Sequence, residues 1–121
     1  MIKLESLKPK IGAVVAVEGL GVALLVTAFN LTTEVLPIAM VYFICVLLTY
    51  EVSNAQLNPA VTMAMYFCEG KWKENSGVTM FIIGGQIIGA FLGLEFGMLL
   101  RVIYSLGTKA EPDYNMMLPG V

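Results

Sequence analysis

Residues 53–62 read Ser53-Asn54-Ala55-Gln56-Leu57-Asn58-Pro59-Ala60-Val61-Thr62, and the segments on either side decide the fold. A long apolar segment, Leu36–Val52, leads into this stretch. The apolar run leading out, Pro59–Cys68, is about 15 Å long as a helix, half of a bilayer core of about 30 Å. Such a chain enters a membrane, stops near its middle and turns a helix N-terminus toward the centre. Asn58 suits the N-cap, because its side-chain oxygen can accept a first-turn N–H while its amide remains free to donate. Pro59 suits the first helical position, where no N–H is needed. Ala60 is small enough to let another helix end approach. The macrodipole places roughly +0.5 charge at that N-terminus, which orients water by its oxygen and disfavours cations. Backbone carbonyls of Ser53–Leu57 can serve a passing solute as acceptors, since irregular backbone at membrane depth survives only inside protein or along a wet cavity.

Working outward, two more segments are long enough to cross a bilayer: Ile11–Asn30 and Val78–Tyr104. The reading is an all-α membrane protein of three transmembrane helices plus one re-entrant half-helix. Residues 1–10 form an N-terminal segment, 11–104 the membrane unit and 105–121 a tail or loop. Composition agrees: 58% of residues are hydrophobic and 13% charged, against roughly 25% charged in a soluble domain. A removable leader is not expected, because the first apolar run is long, contains Glu18 and lacks a small-residue cleavage site. Lys3, Lys8 and Lys10 precede the first span, and Lys71 and Lys73 follow the short segment. The positive-inside rule therefore places the N-terminus on the inner side, with residues 105–121 outside.

The sequence lacks histidine, a nucleophile constellation and a phosphate-cradling glycine loop. No enzyme, cofactor, metal site or nucleic-acid partner is expected; the partners expected are membrane lipids and a further protein. Cys45 and Cys68 read as buried, unpaired packing residues. Glu18 lies mid-span, where a carboxylate is costly and needs a partner. A protonated acid making one hydrogen bond would satisfy it. So would a carboxylate accepting N–H groups from Ser53–Leu57, and that is the reading taken. Gly85, Gly89, Gly93 and Gly97 recur at four-residue steps and form a small-residue face for close helix contact. Gln86 flanks that face and should hydrogen-bond across it. Glu95 points away from the glycines, toward either the outer interface or a partner subunit, the interface being favoured for its nearness to Arg101.

Residues 53–62 resemble the first re-entrant motif of the aquaporin and aquaglyceroporin family, commonly Ser-Gly-x-His-Leu-Asn-Pro-Ala-Val-Thr. Val17-Glu18-Gly19-Leu20-Gly21-Val22 is similar to that family's Ala-Glu-x-x-Gly-Thr. Gly70-Lys71-Trp72-Lys73 and Gln86-Ile87-Ile88-Gly89-Ala90 resemble its loop and its third-span Gln-x-x-Gly-Ala. The resemblance implies a pore of two inverted repeats, each with three spans and a half-helix, whose two Asn-Pro-Ala ends meet mid-membrane. It also implies an arginine after the second motif. Val61 follows the motif here, so the chain resembles a first repeat alone. The path residues implied are Asn58, Pro59, Ala60, Asn54, Ala55, Gln56 and Ile38, with Glu18 and Gln86 supporting the loop.

Asn54 and Gln56 stand where the family pattern has glycine and histidine, and Glu51 adds a charge beside the path. Ile38 favours neither a water-type nor a glycerol-type filter. Three functions are compatible with these residues. One is half of a channel for water or small neutral solutes, completed by a second repeat. Another is a non-conducting subunit of a larger membrane assembly. The third, an inverted homodimer, conflicts with the single topology that the lysines specify.

Overall fold

The computed structural model describes residues 3–108. Helix α1 (Leu4–Leu7) and a turn of 3-10 helix (Lys8–Lys10) lead into α2 (Ile11–Leu31), followed by α3 (Val35–Ser53), α4 (Pro59–Glu69) and α5 (Trp72–Thr108). Helices α2, α3 and α5 are long and apolar enough to cross a membrane. Helix α4, at 11 residues, is not. The described residues contain no strand. The protein is an all-α membrane protein.

Helix α2 is the hub, packing along α5 on one side and α3 on the other. Its contact with α5 is made backbone to backbone. A Cβ added at Gly89 would lie 2.1 Å from the Gly19 carbonyl oxygen, and one at Gly93 2.3 Å from that of Ala23. Gly85 meets Val15, and Gly97 meets Asn30. No larger residue fits at Gly89 or Gly93 unless the helices separate. The close approach also lets the Thr27 hydroxyl donate to the Gly93 carbonyl oxygen at 3.1 Å. At the far end of the pair, Arg101 Nε donates to the Asn30 carbonyl oxygen at 2.5 Å.

Helix α3 buries little of its surface: Cys45, Thr49 and Ser53 face α2 and the following loop. Exposed Leu36, Met40, Phe43, Leu47 and Leu48 cover much of the rest. An exposed apolar surface of this extent suits lipid or another protein and not water.

The sequence reading of α1 missed its role. Leu4 and Leu7 are fully buried and join Val14, Val78 and Ile82 in one core cluster, against which Val52, Met65 and Tyr66 also pack. The segment closes the lysine-bearing end of the bundle. Polar bonds hold it there: the Leu4 N–H donates to Glu69 Oε1 and Asn75 Nδ2 to Glu69 Oε2, both at 2.8 Å. Lys71 Nζ bridges to Glu5 at 2.6 Å, and that hydrogen bond holds the Lys71 ammonium above its ordinary pKa of 10.5.

Helix α5 runs from Trp72 to Thr108 and not from Val78 to Tyr104. No proline lies between those residues, and four of the glycines, Gly85, Gly89, Gly93 and Gly97, are held against α2. Residues 105–108 of the expected tail are therefore helical, and residues 109–121 lie outside the described residues. Cys45 is buried as expected, whereas Cys68 is exposed, because α4 turns that side away from α2 and α5.

Candidate functional site

Helix α3 ends on Asn54, whose φ of 68° is left-handed. Ala55 and Leu57 are also left-handed, at φ 50° and 49°. Three such non-glycine residues in four positions cost about 1–3 kcal/mol each and persist only where the surroundings enforce them. Asn54 stands where the resembling motif has glycine, and asparagine is the residue that best tolerates this conformation after glycine.

Glu18 enforces the loop. It is fully buried on α2. Its Oε1 accepts from the Gln56 N–H at 2.8 Å and from the Ser53 hydroxyl. Its Oε2 accepts from the Leu57 N–H at 2.5 Å and from Gln86 Nε2 at 2.9 Å. Every partner is a donor, the arrangement a carboxylate requires. Gln86 Nε2 also donates to Thr62 Oγ1 at 3.1 Å, and the Thr62 hydroxyl lies 3.2 Å from the Asn58 carbonyl oxygen that it can donate to. One hydrogen-bonded chain thus ties α2, the loop, α4 and α5 together. Gly21 belongs to the same device, since a Cβ there would lie 2.4 Å from Leu57 Cδ2.

This anchoring sets the start of α4. Asn58 is extended, and its Oδ1 accepts the Ala60 N–H at 2.8 Å, the expected cap, with Pro59 in the first turn. Among the described residues no hydrogen bond uses Asn58 Nδ2. Asn58, Pro59, Ala60 and Val61 are all exposed.

Asn58 and Leu57 form part of an open, largely apolar cavity of about 920 Å³ that also takes in Phe29, Ile38, Tyr42 and Val61. Of the residues expected along a path, Asn58 and Ile38 line this cavity. Pro59 and Ala60 are exposed and Asn54 and Ala55 half-buried, and none of the four is among the residues lining it. Gln56, expected along the path, does not line this cavity. Gln56 is only 1% exposed. Its backbone N–H is held by Glu18, and its Nε2 is turned onto the Ser53 carbonyl oxygen at 3.0 Å. Glu18 and Gln86 meet in this network, and Gly85, Gly89, Gly93 and Gly97 face α2. Thr62, which joins Gln86 to Asn58, was missed; a threonine one turn after an N-cap, on the side facing Gln86, was the available signal.

A family model described as major intrinsic protein matches residues 9–120. The chain belongs to the major intrinsic protein family. Comparisons with curated proteins and with solved structures give no match. Major intrinsic proteins are channels, not enzymes. For this family member the described residues contain three apolar crossing helices and one half-helix. They contain no group of three or more metal-binding side chains.

Proposed function

We propose that this chain supplies half the wall of an aquaporin-like conduit for water or small neutral solutes, and that a second repeat supplies the other half. The observation that carries this reading is the open face of Asn58. A polar N-cap with free Nδ2 hydrogens heads a half-helix and lines a cavity otherwise mostly apolar. In lipid that face leaves polar groups without partners, a cost that a covering protein surface and a file of water remove. The positive end of α4 orients a solute by its oxygen, and apolar Phe29, Ile38 and Val61 limit competing hydrogen bonds. The chain's expected orientation, N-terminus inside, puts α4 in the inner half of the membrane.

Stopped-flow swelling of proteoliposomes tests the proposal. The chain alone should not raise water permeability. The chain co-reconstituted with a second-repeat polypeptide, one bearing Asn-Pro-Ala followed by arginine, should. Fast swelling by the chain alone, without leakage of larger solutes, overturns the half-wall reading. Failure with every second repeat that binds the chain favours the non-conducting subunit instead.

A further inference from the structure

Glu95 is the one ionisable residue of α5 between Glu74 and Arg101. It is exposed, on the side of the helix turned away from α2. No hydrogen bond or ion pair engages it among the described residues. Its surroundings are apolar: Ile88, Phe91, Leu92, Phe96 and Leu99 are each roughly half to two-thirds exposed. Exposed apolar residues continue along α5 from Met80 to Leu106, so the midpoint of the band is residue 93. That band is about 39 Å long, and Glu95 lies within about 3 Å of its middle along the axis. The interfacial position favoured by the sequence is therefore replaced by one deep in the apolar band. Arg101 is about 9 Å further along the helix, and its Nε is committed to the Asn30 carbonyl oxygen.

Glu95 also falls in a seven-residue pattern. Phe81, Ile88, Glu95 and Val102 form one row, and Gly77, Gly84 and Phe91 form the row beside it. That is the a and d spacing with which one helix packs along another. The glycines of this face differ from those on α2: a Cβ at Gly77 or Gly84 would meet nothing within 4 Å. The close approach they permit is used by nothing among the described residues.

We propose that the outward face of α5 is an interface for a second membrane-spanning helix presenting a lysine or arginine at the depth of Glu95. Charge complementarity selects this occupant. A carboxylate at that depth is costly unless paired. A second copy in the same orientation would bring Glu95 against Glu95, like charge against like. The proposed second repeat belongs on a different face, where Asn58 and Ile38 line the cavity.

The test uses the full chain in proteoliposomes, carrying a donor fluorophore on exposed Cys68. The probe is an acceptor-labelled leucine–alanine transmembrane peptide with one lysine at the depth of Glu95. The same peptide with leucine or glutamate there serves as comparison. Energy transfer should reach half-saturation at a peptide fraction about threefold to tenfold lower for the lysine peptide than for the leucine peptide. Glu95→Leu should abolish that preference, Glu95→Asp should keep it, and Glu95→Lys should transfer it to the glutamate peptide. Equal binding of the lysine and leucine peptides overturns the proposal, as does a preference that survives Glu95→Leu. Self-association through Glu95 that excludes the lysine peptide also overturns it and assigns the face to a second copy.

Discussion

Replacing Glu18 by leucine tests the anchoring of the loop directly. The substitution leaves the N–H groups of Gln56 and Leu57 without their acceptors, at residues 1% and 5% exposed. Each buried, unsatisfied donor costs about 1–3 kcal/mol, so the pair costs about 2–6 kcal/mol. A typical domain has about 5–15 kcal/mol in total, and the loss should therefore be plain in thermal unfolding of the detergent-solubilised protein. Amide hydrogen exchange locates it. A loss of 2 kcal/mol corresponds to about 30-fold faster exchange, expected at Gln56 and Leu57 and not along the α2–α5 contact. Glu18→Gln should fall between native and Glu18→Leu. Its remaining oxygen still accepts, but its NH₂ group faces donors. Unchanged protection at both amides in Glu18→Leu, with an unchanged melting temperature, would refute the reasoning.

The two classes of glycine on α5 predict opposite outcomes. Gly89→Ala sets a Cβ against the Gly19 carbonyl and should cost at least about 1–3 kcal/mol, whereas Gly84→Ala should be neutral or stabilise by up to about 1 kcal/mol, both read from melting curves. Asn58→Ala removes the N-cap and should destabilise by about 1 kcal/mol. In a conducting pair Asn58→Asp should weaken cation exclusion by offsetting the positive helix end, measured as cation current in planar bilayers. The Lys71–Glu5 bridge should fail on the alkaline side. The pKa of Lys71 is raised in the folded protein, so its contribution is full below the ordinary value of 10.5 and is lost as pH rises through the higher folded value. Exchange at the Leu4 amide, corrected for its intrinsic pH dependence, should accelerate there, and Lys71→Gln should remove the change.

The start of α4 was legible because Asn58 and Pro59 each fit a single helical position for a local reason. A close helix contact along α5 was legible because glycines at four-residue steps have few other uses in an apolar helix, whereas its partner α2 was not. Glu18 was legible because a carboxylate in an apolar run needs donors, and Ser53–Leu57 had donors to offer. Other features depend on tertiary contacts that leave no local trace. Leu4 and Leu7 lie in a lysine-bearing segment that shows no apolar run, yet they pack across four helices. Gln56 turns inward because Glu18 holds its backbone, which its own side chain does not reveal. The left-handed residues Ala55 and Leu57 carry no glycine or asparagine signal.

The bonds made by Glu18 have a consequence for synthesis. Its donors lie 35, 38, 39 and 68 residues further along the chain at Ser53, Gln56, Leu57 and Gln86. A ribosome adding about 5–20 residues per second takes about 3–14 s to make the last of them after Glu18. Until Ser53, Gln56 and Leu57 are made, about 2–8 s after Glu18, α2 carries a polar group with none of these donors beside it, and Gln86 is missing for the whole interval. Helix α2 therefore depends on the later α5 for its place in the bilayer. The insertion machinery must shelter it, or tolerate its retreat, until α5 arrives.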